Sequence, residues 1–228
     1  MESSMKVSSM SNSMFVQACG NIAPIASIVV TLAPIPTINE IAKKQSTMNL
    51  PLLPYTSMFV NAFIWTTYGF LTNEIRIWSC NVVSIFCGLY YIRKYLAYVP
   101  PGASNLPGNV TAHFQLGSAI IIGTILVVLS FRKEFAKDLV GNAGVILCLV
   151  LFGSPLSTLK QVIKTRSAIS IPLPFTISCC INCFCWSVFG IFGVNDAKVY
   201  FPNVIGFVFG KNSFRIYSNF EIYLSYHR

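Results

Sequence analysis

Residues 34–69 read PIPTINEIAKKQSTMNLPLLPYTSMFVNAFIWTTYG, and residues 155–190 read PLSTLKQVIKTRSAISIPLPFTISCCINCFCWSVFG. Laid on one another without a gap, they are one segment written twice. Pro34, Thr37, Lys43, Ser46, Pro51, Leu52, Ser57, Asn61, Phe63, Trp65 and Gly69 recur as Pro155, Thr158, Lys164, Ser167, Pro172, Leu173, Ser178, Asn182, Phe184, Trp186 and Gly190, at a constant offset of 121. Unrelated apolar segments coincide at Leu and Val; coincidence at Trp, Asn, Lys and Pro marks an internal duplication. One extra residue, assigned to a loop of the second copy, then brings Asn81 onto Asn203 and Gly88 onto Gly210. The duplicated unit is therefore three helices long.

The solvent for those helices follows from composition. Of 228 residues, 54% are hydrophobic and 10% charged, and the mean hydropathy is +0.64. A water-soluble domain carries about 25% charged residues, so the apolar surface must face lipid. Scanning for stretches without charge gives seven intervals: 7–39, 45–73, 77–92, 95–131, 139–159, 167–195 and 199–210. A charge at the bilayer centre costs about 2.5 to 3.5 kcal/mol, so each interval is read as one membrane span. In the fourth, Pro100, Pro101, Gly102, Pro107 and Gly108 mark residues 98–112 as loop, which leaves a helix over 114–131. The first interval is read as a span rather than a cleavable signal, because Lys6 is the only nearby cation and the apolar run is long. The last is the shortest, about 18 Å as a helix, and Lys211, Asn212, Ser213, Arg215 and Ser218 follow it at once.

An odd number of spans per copy puts both copies in one orientation only if another span lies between them, and 114–131 supplies it. The expected fold is all-α: a polytopic membrane protein of seven transmembrane helices, arranged as two parallel three-helix bundles joined by a linker helix. Its parts are an extracellular N-terminal tail (1–13), a first repeat (14–97), a loop plus linker helix (98–138), a second repeat (139–215) and a cytosolic C-terminal tail (216–228). With the N-terminus outside, cytosolic segments hold ten Lys and Arg against six elsewhere, and two Asp and Glu against five. This is the positive-inside distribution. The net charge of +9 needs no nucleic acid to explain it, and the sequon Asn109–Thr111 falls on the cytosolic side, where it stays unmodified.

Parallel repeats related by an axis along the membrane normal are a transporter pattern. The segments SPLSTLKQVIKTRSAISIP, CWSVFG and FPNVIG, with APIPTINEIAKKQST and WTTYG in the first half, resemble the SWEET sugar transporters over nearly the whole chain to Gly210. The resemblance implies facilitated, bidirectional transport of a mono- or disaccharide through a polar cavity between the bundles, with the bilayer and the sugar as partners and a homo-oligomer left open. The expected location is the plasma membrane, with an internal membrane as the alternative. The sequence beyond Gly210 departs from the family pattern.

Within the spans, Asn81 and Asn203 are costly unless partnered. A lone membrane Asn serves equally as helix glue or as a ligand; a matched pair, one on each third helix, favours the ligand, and the resemblance implies that this pair holds the sugar. Trp65 and Trp186 taken singly read as interfacial belt residues, and as a pair they can sandwich a pyranose ring. Asn61 and Asn182 lie one turn earlier on the same face, and Ser154 with Asn61 sets the pocket size. Pro34 and Pro155 interrupt each first helix, while Pro51, Pro54 and Pro172 open the second helices. The resemblance implies a proline tetrad acting as hinge, with the choice between Pro51 and Pro54 open, and an outer gate of Tyr68 and Asp196.

No enzyme is expected, since no span carries an acid pair or metal cluster; no catalytic residue, cofactor or metal is assigned. His113 and His227 are read as solvated loop and tail residues. Cys179, Cys180, Cys183 and Cys185 on one helix are read as small apolar packing rather than metal ligands or disulfides. The rival readings are a PQ-loop amino-acid exporter, disfavoured by Pro-Ile-Pro and Ser-Pro-Leu in place of Pro-Gln; a seven-helix receptor, disfavoured by the duplication; and a transport-inactive interaction subunit with an imperfect last helix.

Overall fold

The structure, a computed structural model, describes residues 2–48, 50–99, 109–151 and 173–226. Its elements are helices: α1 (Glu2–Leu32), α2 (Ile35–Lys44), α3 (Leu53–Thr72), α4 (Ile75–Leu96), α5 (Val110–Ser130), α6 (Lys133–Leu151), α7 (Leu173–Val188) continued by a π-helical turn (Phe189–Gly193), and α8 (Ala197–Tyr226). α1 and α2 are two parts of the first span, parted at residues 33–34, where Pro34 brings no N–H to the ladder. Among the described residues, Ser13–Lys44, Ile75–Leu96, Val110–Ser130 and Leu173–Gly193 are long and apolar enough to cross a membrane by length and composition. α3 carries no charge; Thr56, Asn61, Thr66, Thr67 and Thr72 lower its hydropathy. α6 and α8 carry charges, Lys133, Glu134, Lys137 and Asp138 in one and Lys198, Lys211, Arg215 and Glu221 in the other.

Four expectations are corrected. α1 is helical from Glu2, through the stretch read as a tail. α5 begins at Val110, capped by the Asn109 side chain, which accepts from the Thr111 N–H at 3.0 Å. His113 is therefore a helical residue packed on α3 rather than a solvated loop residue. Its Nδ1 lies 3.2 Å from Thr56 Oγ1, and its Nε2 is buried without a partner among the described residues. The seventh helix does not fail after Gly210: α8 is 30 residues long and unbroken to Tyr226. The fourth concerns the extra residue of the second copy, which lies in a helix rather than a loop.

The paired hairpins show where it went. In α3–α4, Asn73 takes a left-handed φ of 56° and Glu74 caps α4 by accepting from the Arg76 N–H at 3.1 Å. In α7–α8, Asn195 takes a φ of 49° and Asp196 accepts from the Lys198 N–H at 2.9 Å. The backbone closure matches too, with Glu74 N on Gly69 O at 2.9 Å and Asp196 N on Gly190 O at 2.8 Å. The second closure encloses one residue more, and the π-helical turn holds it, with Val194 N donating to Phe189 O at 3.0 Å. A widened turn absorbs the extra residue inside the helix with its backbone still hydrogen-bonded there, and leaves the tip of the hairpin unchanged.

By packing, the chain divides into two compact units, Met1–Val30 with Cys148–Arg228, and Thr31–Leu147. Both divisions fall inside a first helix, α1 in one repeat and α6 in the other. Each first helix thus gives its N-terminal part to the unit that holds the other repeat's hairpin. In the unit Thr31–Leu147 the core joins Ile38 and Ile41 of α2, Leu52 and Tyr55 at the start of α3, and Tyr91, Ile92 and Tyr95 of α4. Tyr95 closes it by donating to Leu50 O at 2.5 Å.

The hairpins depend on glycine. A Cβ at Gly69 would stand 2.6 Å from Trp78 N, and one at Gly190 would stand 2.8 Å from Tyr200 N; both obstacles are backbone. Gly123 on α5 has nothing within 4 Å. In the detergent-solubilised protein, Gly69→Ala and Gly190→Ala should each lower the thermal midpoint by about 5 °C, whereas Gly123→Ala should leave it unchanged or raise it. Equal midpoints for all three variants would contradict this packing.

Candidate functional site

The hairpin geometry sets the candidate residues by counting turns. Trp65 lies one turn before Gly69 on α3, and Asn81 lies nearly one turn beyond Trp78 on α4. Trp186 and Asn203 hold the same places about Gly190 and Tyr200. Asn81 Nδ2 donates to Ile77 O at 2.7 Å, and Asn203 Nδ2 donates to Val199 O at 2.7 Å. Both amides are half-buried. Each thus spends one N–H on the carbonyl four residues back in its own helix, and its Oδ1 is bonded to no other helix among the described residues. The helix-glue alternative requires an interhelical bond, and neither amide makes one among the described residues.

The indoles are inside the protein. Trp65 is 8% exposed and Trp186 6%, which is not the station of a belt residue at a lipid interface. Trp65 meets Tyr68 edge-on with ring centroids 5.5 Å apart, and Trp186 meets Phe189, the matching residue, at 6.1 Å. Each indole also faces the first helix of the other repeat, within its own unit. A Cβ at Gly144 of α6 would stand 3.2 Å from the Trp65 ring. On α1, Ser27 Oγ donates to Asn182 Oδ1 at 2.7 Å and accepts from Trp186 Nε1 at 2.8 Å.

Ser27 is the residue that sequence reasoning missed. Its place in the second copy is held by Cys148, so the duplication did not flag it, and a lone Ser in an apolar helix signals little. The bond it makes orients both Asn182 and Trp186. The first copy differs: Asn61 is half-buried with partners of its own, and Trp65 is held by ring contact and by the small Gly144.

Of the proline positions, Pro34 stands at the break between α1 and α2. Pro51 precedes α3, and Pro54 is the second residue of α3, where a missing N–H costs nothing. Pro24 and Pro202 lie inside α1 and α8. Tyr68 is 2% exposed, and Asp196 is the cap of α8, as Glu74 is of α4. Ser154, Pro155 and Pro172 lie outside the described residues. Apart from Asp196, the described candidates are uncharged amides, indoles and a phenol, a set that suits a neutral, hydroxyl-rich ligand better than an ion or zwitterion.

Comparison with known proteins adds three findings. The sequence profile of the MtN3_slv family, described as "Sugar efflux transporter for intercellular exchange", matches twice, over residues 17–103 and 138–223. Curated relatives include the bidirectional sugar transporters SWEET12 of Oryza sativa subsp. japonica, 28% identical over 85% of this chain and 64% of its own length, and SWEET9 of Arabidopsis thaliana, 29% identical over 89% and 78%. The chain spans 64 to 65% of the length of the first relatives it matches. A solved eukaryotic SWEET transporter superposes with a TM-score of 0.83 over 92% of this chain and 98% of the other, at 21% identity, and establishes the shared seven-helix fold of two three-helix repeats about a linker helix. With both repeats matched by one profile, this chain belongs to the SWEET (MtN3) family of integral membrane proteins.

Proposed function

We propose that this protein is a facilitative sugar transporter that carries a mono- or disaccharide across the plasma membrane by alternating access, with its N-terminus outside and its C-terminus in the cytosol. The observation that carries the reading is the duplicated amide. Asn81 and Asn203 occupy matching places in the two repeats, make the same 2.7 Å bond to their own helix, and among the described residues bond Oδ1 to no other helix. Relatives named bidirectional sugar transporters support the substrate class.

In this mechanism each repeat contributes one amide and one indole to the sugar. The amides exchange hydrogen bonds with hydroxyls, and the indole faces take the C–H faces of the ring. Ser27 holds Trp186 and Asn182 ready, which lowers the ordering cost of binding. Pro34 and Pro155 let each first helix bend, Pro51 or Pro54 with Pro172 loosens the second helices, and Tyr68 with Asp196 closes the outer path. The sugar is bound equally from either side and moves down its gradient.

No ion is coupled to the step. A proton-coupled carrier titrates an acid or His within the membrane; Glu2, Glu40, Glu74, Glu134, Asp138, Asp196 and Glu221 lie toward the ends of their helices, and His113, in the first turn of α5 and 3.2 Å from Thr56 Oγ1, is the described His that the pH test must discount.

Two measurements test the proposal. In cells lacking their own sugar carriers, Asn81→Ala and Asn203→Ala should each lower initial uptake of labelled glucose or sucrose about tenfold or more, with surface expression unchanged; normal uptake by both variants would count against it. Wild-type uptake at external pH 5.5 and 7.5 should agree within about twofold. A steep rise at the acidic value would replace uniport by proton symport.

A further inference from the structure

Proline at position 34 deprives the carbonyl of Val30 of its helical donor, and the break at 33–34 lies directly after the carbonyl of Thr31. That second carbonyl has an unusual partner. The Tyr91 hydroxyl, on α4, donates to Thr31 O at 3.1 Å. The Thr31 side chain is gripped from the same helix, with its Oγ1 2.7 Å from Ser84 Oγ. Since the Ser84 hydroxyl donates to Cys80 O at 3.0 Å, Thr31 is the donor of that pair. Ser84 and Tyr91 are seven residues apart, two turns on one face of α4.

The arrangement is sealed. Thr31, Ser84 and Tyr91 are 6%, 6% and 1% exposed, and all belong to the unit Thr31–Leu147. The Tyr91 ring is held edge-on by Tyr55 at 6.1 Å and by Tyr90 at 5.8 Å. Below it, Ile38 and Ile41 of α2 enter the same core. The first helix is therefore pinned to α4 on both sides of its break.

At the matching places of α8 the second repeat carries no equivalent groups. The register that places Asn81 on Asn203 puts Gly206 opposite Ser84 and Ser213 opposite Tyr91. Glycine offers no side chain, and the Ser213 hydroxyl is spent on Phe209 O of its own helix at 3.0 Å. We propose that Tyr91, with Ser84, is a positioning residue that pins the first helix at Pro34, and that Gly206 and Ser213, at the matching places of α8, supply no such pin, so the first repeat's hinge is the more constrained of the two. The inference rests on the alternating-access reading above, and it makes the two hinges of a duplicated protein unequal.

The test uses the full chain in lipid nanodiscs. Tyr91→Phe keeps the ring and removes only the donor, and Ser84→Ala removes only the hydroxyl. Amide hydrogen exchange at Ile35, Thr37 and Ile38 should rise about fivefold in each variant, while Ser213→Ala should leave exchange in the first helix of the second repeat unchanged. In cells, Tyr91→Phe should alter the maximal transport rate by about fivefold and leave KM within about twofold, because no sugar contact is lost. Unchanged exchange in Tyr91→Phe, with an unchanged thermal midpoint, would overturn the pin whatever transport shows. Raised exchange with an unaltered maximal rate would overturn its part in transport, and raised exchange in Ser213→Ala would overturn the asymmetry. A wild-type chain that moves no sugar, beside raised exchange in Tyr91→Phe, would leave the pin standing and remove the transport reading instead.

Discussion

Where Gly69 passes over the backbone of Trp78, and Gly190 over that of Tyr200, two helices approach more closely than any side chain allows. The rest of the structure depends on that approach. In hydrocarbon there is no gain from hiding apolar surface from water, so helices associate through close packing and small residues. A second pair of glycines, Gly88 against Phe59 and Gly210 against Cys180, keeps each pair of helices antiparallel and in contact over several turns. With both contacts fixed, the register of α4 on α3, and of α8 on α7, has no freedom. Trp65 and Asn81 come to the same level of one hairpin, and Trp186 and Asn203 to the same level of the other.

This is also why so much was legible beforehand. Duplication preserves the residues that a packing register cannot spare, and these are Trp, Asn, Gly and Pro rather than the interchangeable Leu, Ile and Val. The repeat length, the linker helix and the indole and amide pairs all follow from those positions. Ser27 escaped because it has no duplicate; its role arises from a contact between elements far apart in sequence. The π-helical turn at Phe189–Gly193 escaped because an alignment registers one extra residue without saying whether a loop or a helix absorbs it. α8 was underestimated because a hydropathy run stops at Lys211, whereas a helix continues as long as its backbone bonds are made and long side chains reach water. His113 was misplaced by four residues of helix that the Asn109 cap adds.

The division of the molecule inside its first helices links fold to motion. A helix shared between two packed units is the natural place for a bend, and in the first repeat Pro34 stands close to that division. Equal ancestry does not make the two bends equal: Thr31 is held by Tyr91 and Ser84, while the matching residues are Ser213 and Gly206. Within the unit Thr31–Leu147, the buried tyrosines about Ile38 and Ile41 brace that pinned hinge further.

The central claim is that the paired amides and indoles bind sugar, and tryptophan fluorescence of the purified protein tests it most directly. The chain has three tryptophans, and Trp78, stacked on Phe70 at 4.9 Å, lies within one turn of Asn81 and is removed so that it adds no signal of its own. Titration of Trp78→Phe with glucose and sucrose should give a saturable change in emission from Trp65 and Trp186, and the change should vanish when Asn81 and Asn203 are both replaced by alanine. A saturable signal that survives the loss of both amides, or no signal with either sugar, would contradict the account.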